Sequence, residues 1–183
     1  MGNQKERELL KQSMQNAALC AVNRDFIDPL TLYGFPVELS GGLAAFSFIY
    51  DFRPDGYKIV RTSDITEVFS EEAEHFLERI VRAENPEFTP EPPGFALESM
   101  AALCTDLQEK KKIVTVECEG SEETIFLIGQ ICRVTNKEIS MRTFDGMGVW
   151  DTEKAAVPLG DITCISVGNA YVEILSKYLT EKK

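Results

Sequence analysis

The chain has 183 residues and a formal net charge of −11, from 30 acidic and 19 basic side chains. Its 44% hydrophobic content is ample for a packed core and excludes a disordered chain. No apolar run approaches the roughly 18 residues of a membrane-spanning helix. A negative field repels nucleic-acid phosphates and anionic lipid, and a single histidine, His75, excludes most metal sites and histidine-based triads.

The five cysteines are widely spaced and include no Cys-x-x-Cys pair. This pattern is typical of reduced cysteines that pack as small hydrophobic side chains in a cytoplasmic protein. The N-terminus, residues 1–8, is charged and no apolar segment follows it, so we expect no secretory signal and a cytoplasmic location. We expect neither a metal nor a cofactor.

The first half of the chain predicts a helix, four strands and a second helix. Residues 4–16 have apolar positions at helical spacing, and so do residues 71–84, with Ser70 as the expected N-cap. The four predicted strands lie near residues 18–24, 32–39, 43–50 and 56–68.

Two local signals refine these strands. Pro36 lies inside the second strand, which indicates an edge position or a β-bulge. The sequence Arg-Pro-Asp-Gly at residues 53–56 predicts a tight turn after the third strand.

Residues 85–94 hold four of the eight prolines and predict an extended, stiff linker. The linker separates a first domain, 1–84, from a second, 95–183. The second domain again predicts a leading helix, 95–111, and a closing helix, 170–179. Its four predicted strands lie near residues 113–119, 124–135, 138–144 and 155–166.

The two halves resemble each other at an offset of 95 to 97 residues. Gly34 and Gly129 each lie inside an apolar run, and Asp64-Ile65-Thr66 and Asp161-Ile162-Thr163 follow 30 and 32 residues later. The triplets are expected to be turns that enter a strand, with ligand binding as the alternative. The predicted fold class is therefore α+β, with two tandem helix–antiparallel-barrel units, each followed by a helix.

Residues 35–42, Phe-Pro-Val-Glu-Leu-Ser-Gly-Gly, and the later segment 57–68 resemble the two sequence motifs of the Sm-like family. In that family a helix caps a five-stranded SH3-like barrel, so the resemblance implies two such barrels here. Family members that bind RNA use an asparagine after a loop aspartate and an Arg-Gly pair. No asparagine follows Asp51, and Thr62 follows Arg61, so the resemblance does not extend to RNA binding.

Catalytic and nucleotide-binding motifs are absent from the sequence, so we expect no enzyme. Two aromatic loops, residues 50–57 and 144–151, are the candidate contact surfaces for a protein partner. The alternative for both loops is that their aromatic side chains pack against their own barrel. The candidate partner-binding residues are Phe52, Tyr57, Phe144, Met147 and Trp150.

The sequence thus predicts a non-enzymatic, acidic, cytosolic protein that acts through protein–protein contacts. The negative charge favours a basic protein partner, whereas nucleic acid and membrane are not expected. Two alternatives stay open: an Sm-like nucleic-acid or nucleotide-binding module, and a small-molecule enzyme with a pair of acids. We expect a monomer or a small homo-oligomer.

Overall fold

The computed structural model describes residues 4–120 and 124–181. The chain divides into two compact units, Met1–Gly94 and Phe95–Lys183. Unit 1 therefore includes the proline-rich segment that the sequence analysis treated as a linker.

Unit 1 contains two helices and five strands, and its strand order is β5-β1-β2-β3-β4. The neighbouring strands within it are antiparallel. Its elements in chain order are α1 (Gln4–Gln15), β1 (Cys20–Arg24), β2 (Asp28–Ser40), β3 (Leu43–Tyr50), β4 (Arg53–Arg61), β5 (Glu67–Phe69) and α2 (Glu72–Glu84).

Unit 2 has the same sequence of elements, and its strand order is β10-β6-β7-β8-β9. Its neighbouring strands are also antiparallel. The elements are α3 (Met100–Glu109), β6 (Ile113–Cys118), β7 (Ile125–Val134), β8 (Glu138–Phe144), β9 (Trp150–Pro158), β10 (Cys164–Val167), α4 (Ala170–Leu175) and a short 3-10 helix (Ser176–Tyr178).

The prediction of two helix-capped SH3-like barrels is wrong. In the described residues each unit instead has an open antiparallel sheet of five strands and two α-helices. Closing a barrel requires the first and last strands of the order to pair. In the described residues β5 and β10 have only three and four residues and pair with β1 and β6, so within neither unit does the strand order return on itself.

Several predicted boundaries are also wrong. Residues 53–56 lie in β4, and the turn before it is Asp51-Phe52, both with positive φ (44° and 65°). This is the conformation of a two-residue hairpin turn, which usually selects asparagine and glycine. The predicted helix 95–111 begins only at Met100, because the Ser99 side chain accepts the Ala102 N–H and caps it there.

The N-cap of α2 is Glu71 rather than the predicted Ser70. The backbone N–H of Glu71 donates to the Glu74 carboxylate at 2.9 Å, whereas the Ser70 hydroxyl donates to the Leu19 carbonyl at 3.4 Å. Ser70 therefore fastens the start of the first strand instead of starting the helix.

The bulge expected at Pro36 is confirmed, since the β2–β3 register shifts between Pro36 and Glu38. The β7–β8 register shifts between Ile131 and Arg133, 95 residues later. A bulge bends a strand and increases its twist. The β2 and β7 strands are therefore irregular at corresponding places, although only β2 has a proline there.

The threonines of the two Asp-Ile-Thr triplets make matching contacts. The Thr66 N–H donates to the Asn23 carbonyl, and its hydroxyl donates to the Asp25 carboxylate at 2.7 Å. The Thr163 N–H donates to the Glu117 carbonyl, and its hydroxyl lies 3.0 Å from the Glu119 carboxylate. Each triplet therefore ties a turn to the end of the unit's first strand, and the predicted strands 56–68 and 155–166 are each interrupted there.

Candidate functional site

A groove opens in unit 1 where β2 and β3 separate. The pairing of β2 with β3 runs from Gly34–Phe48 to Ser40–Leu43. In the first part of β2, Asp28, Leu32 and Tyr33 pair with β1 instead, and a register shift between Val22 and Arg24 leaves residues 29–31 bulged. Between this part of β2 and the end of β3 lies a cavity of about 680 Å³. We call it the aromatic groove; it is lined by Arg24, Asp28, Pro29, Leu30, Thr31, Leu32, Tyr33, Phe48, Ile49, Tyr50, Asp51 and Lys58.

The walls of the aromatic groove carry apolar side chains that the fold leaves exposed. Leu30 is 73% exposed and Tyr50 is 61% exposed, and Tyr33 is also exposed. The rings of Phe48 and Tyr50 lie 6.5 Å apart, and the Lys58 ammonium lies 5.0 Å from the centre of the Phe48 ring. Exposed aromatic side chains around a cavity are typical of binding sites.

An ion pair forms one end of the aromatic groove. The Arg24 side chain is 1% exposed, and its guanidinium lies 3.1 Å from the Asp28 carboxylate. The same carboxylate accepts the Leu30 backbone N–H at 2.9 Å. Asp28 thereby fixes the start of β2, while Asp51 at the opposite wall is exposed to solvent.

The structure places the candidates of the first loop beside the aromatic groove rather than in its lining. Phe52 is exposed at the β3–β4 turn, where its carbonyl accepts a hydrogen bond from the Asn85 side chain at 2.9 Å. Tyr57 is half-buried on β4, and burial together with the charge of Glu91 raises its pKa. Of the predicted loop 50–57, Tyr50 and Asp51 line the groove.

The candidates of the second loop have different environments. Phe144 is 8% exposed and packs edge-on against Trp150, with ring centres 5.2 Å apart. The Arg142 guanidinium covers the Trp150 ring at 4.8 Å. Met147 is 80% exposed. Phe144 and Trp150 therefore pack within unit 2, as the alternative interpretation expected, and Met147 projects into solvent.

The C-terminal segment secures this second loop. Arg142 forms two hydrogen bonds to the Glu181 carboxylate, at 3.1 and 2.5 Å, which lower the pKa of Glu181. Thr180 pairs with the loop, because its N–H donates to the Gly148 carbonyl and its carbonyl accepts from the Trp150 N–H. The loop is thus held by hydrogen bonds on both sides of Val149.

Metal-ligating side chains do not cluster in the described residues. Within residues 4–120 and 124–181, His, Cys, Asp and Glu side chains form no group of three that could hold a metal ion. His75 lies exposed on α2. Across the same residues, no helix combines the length and apolar character needed to cross a membrane.

The cysteines are free thiols, and burial makes two of them weak acids. Burial and the charge of Glu74 raise the pKa of Cys20 to about 12. Burial and the charges of Asp161 and Glu119 raise the pKa of Cys118 to about 11. Below these values both groups are thiols, and the thiol is a poor nucleophile.

We therefore expect iodoacetamide at pH 8 to label the half-buried Cys132 of the native protein before Cys20 and Cys118. Peptide mass spectrometry over a time course measures the three rates, with the urea-unfolded chain as the control in which all should react. Native labelling of Cys20 or Cys118 as fast as Cys132 would contradict the burial that raises their pKa values.

Comparison of the chain with family models, curated proteins and solved structures gave no match. The candidate site therefore depends on its geometry alone. Sequence analysis missed Tyr33 and Phe48 because they lie inside predicted strands, and it missed Leu30 because this residue lies between the predicted strands 18–24 and 32–39. Pro29 at the start of β2 was the available signal, because proline in a sheet is typical of an edge.

Proposed function

We propose that this chain is a non-enzymatic binding protein that holds a basic protein partner in the aromatic groove. The observation that supports it is the exposure of Leu30, Tyr33 and Tyr50 around one cavity of about 680 Å³. Tyrosine supplies a large contact area at low entropic cost and is enriched at the energetic centres of protein interfaces.

Charge supports a basic partner. The net charge of −11 gives a field that attracts cationic proteins and accelerates their association. The charged side chains that line the aromatic groove balance, since Arg24 and Lys58 face Asp28 and Asp51, so the attraction comes from the net charge of the whole chain. The same field repels a phosphate backbone, which argues against nucleic acid as the occupant. The five free cysteines support placing the protein in the cytoplasm, where thiols stay reduced.

Affinity capture from native lysate tests this proposal when it compares three forms of the chain. The wild type is expected to retain a basic protein that elutes at high salt. The double variant Tyr33→Ser/Tyr50→Ser should retain at least tenfold less of it, because interface aromatics commonly contribute more than about 1 kcal/mol each. Phe126→Ser, which removes an exposed aromatic of unit 2, is the matched control and should retain the wild-type amount.

Two results would contradict the proposal. One is a basic protein that the double variant and the wild type retain equally, which would place its site outside the aromatic groove. The other is RNA as the retained species, which would mean that local groups outweigh the net charge.

A further inference from the structure

Helix α1 of unit 1 and helix α3 of unit 2 hold corresponding places in the chain. Each precedes the first strand of its unit and ends before a residue with positive φ, Ala17 at 47° and Lys111 at 51°. The buried positions 6, 10 and 13 of α1 lie 94 residues before the buried positions 100, 104 and 107 of α3, and Ala17 lies 94 residues before Lys111. The two helices can therefore be compared position by position.

The buried face of α1 is polar where that of α3 is apolar. In α3 all three positions hold apolar side chains, whereas in α1 only Leu10 is apolar and the other two positions hold Glu6 and Ser13. Glu6 is 8% exposed, and within the described residues its Oε2 atom is buried without a hydrogen-bond partner. Burying such an atom costs free energy that the docking of the helix must offset. We therefore expect α1 to be held less firmly than α3.

The packing of α1 is also incomplete on the side of α2. A cavity of about 270 Å³ lies between α1 and the start of α2, and it is lined by Leu9, Gln12, Ser13, Asn16, Ala18, Ser70 and His75. Atoms that line a cavity lose the dispersion contacts that a packed neighbour would provide. This side of α1 therefore adds little to its docking.

The chain that follows α1 is fastened to α2. The Arg82 guanidinium donates to the Ala17 carbonyl at 2.6 Å, and the Leu19 N–H donates to the Glu78 carboxylate at 3.0 Å. Neither bond involves a residue of α1, so the start of β1 stays anchored when the helix leaves.

We propose that α1 is a displaceable cover, which leaves unit 1 by turning about Ala17 while the sheet and α2 stay folded. The docked helix packs against β2 and β5, so its departure exposes the sheet surface beneath it and controls access to that surface. An isolated helix of 12 residues is marginal in water, so α1 unwinds once it is displaced. The inference is independent of the proposed function, because none of the described residues that line the aromatic groove belongs to α1.

Native-state hydrogen exchange of the full chain tests this proposal. After correction for intrinsic rates, the amides of residues 8–15 in α1 should exchange at least tenfold faster than those of residues 76–84 in α2, because a local opening costs less free energy than unfolding of the unit. Urea below the unfolding transition should accelerate exchange in α2 and barely change it in α1, because displacing one helix exposes little surface.

The variant Glu6→Met gives α1 the side chain that α3 has at the corresponding position. Methionine and glutamate have similar helix propensities, so the change acts through burial. It should slow exchange of residues 8–15 at least tenfold, because the buried oxygen without a partner is removed. Glu8→Gln, at an exposed acid of the same helix, is the matched control and should alter these rates less than twofold.

Two results would overturn the proposal. One is equal exchange in α1 and α2 with the same dependence on urea, which would mean that α1 opens only when the whole unit unfolds. The other is unchanged exchange of residues 8–15 in Glu6→Met, which would mean that the buried carboxyl group does not weaken the docking of α1.

Discussion

Gly129→Ala is expected to destabilise unit 2 by about 3 kcal/mol or more. A Cβ built at Gly129 would overlap the carbonyl oxygen of Arg142 and would lie 2.9 Å from the Cα of Thr143. Both atoms belong to the backbone of β8, so no side-chain rotation relieves the overlap. The β7–β8 ladder would have to shift, and urea denaturation followed by circular dichroism measures the loss.

Gly160→Ala is the matched control in the same unit, since a Cβ there meets nothing within 4 Å. It should leave the free energy of unfolding within about 0.5 kcal/mol of the wild-type value. Gly34→Ala is expected to act like Gly129→Ala with a smaller loss, because its Cβ would stand 2.8 Å from the Ser47 carbonyl oxygen. Equal midpoints for Gly129→Ala and Gly160→Ala would show that β8 is not packed as described.

Local patterns predicted most elements well, because apolar periodicity acts over a few residues. The strands at residues 43–50 and 138–144 were confirmed with the predicted bounds, and α2 begins one residue later than predicted. The long-range contacts of the triplets could not be predicted in this way. Thr66 and Thr163 bond to residues at least 41 positions away in sequence, and a local pattern carries no trace of such contacts.

Barrel closure is likewise a non-local property. The alternation of apolar and polar residues identifies strands. Which strand edges pair depends on strand length and register, and β5 has only three residues. The β3–β4 turn shows a related limit. Phenylalanine has no preference for positive φ, yet the register that pairs Tyr50 with Arg53 places Phe52 at 65°. Tertiary packing therefore overrode the stronger turn signal at residues 53–56.

The aromatic groove was predictable only in part. The abundance of aromatic residues in the loop 50–57 drew attention to Tyr50 and its neighbours, but Tyr33 looked like a member of the predicted strand 32–39 and Leu30 lay outside it. Their exposure depends on β3 leaving β2 at Gly34, a position where the two backbones approach closely. The sequence shows the glycine, whereas the divergence beyond it appears only in the pairing.

Phe35→Ala is expected to cost unit 1 about 3–5 kcal/mol, the range for truncating a buried aromatic side chain. Phe35 is fully buried in a cluster with Leu19, Ile49 and Val81. The Arg82 guanidinium lies over its ring at 5.2 Å, so the truncation also removes a cation–π contact. Thermal and urea unfolding of the variant measure the loss, and Phe26→Ala, at a side chain 89% exposed, is the control expected to change little.

The variant Phe88→Ala tests whether the segment 85–94, which the sequence analysis treated as a linker, contributes to the same core. Its ring centre stands 5.6 Å from that of Phe35, and it packs against the same cluster while staying partly buried. We expect a loss of about 1–3 kcal/mol, smaller than for Phe35→Ala because less apolar surface is buried. A loss in that range would show that the proline-rich segment contributes to the core of unit 1. Unchanged stability would mean that Phe88 adds nothing to that core, and Phe35 would then derive its stabilising effect from Leu19, Ile49 and Val81 alone.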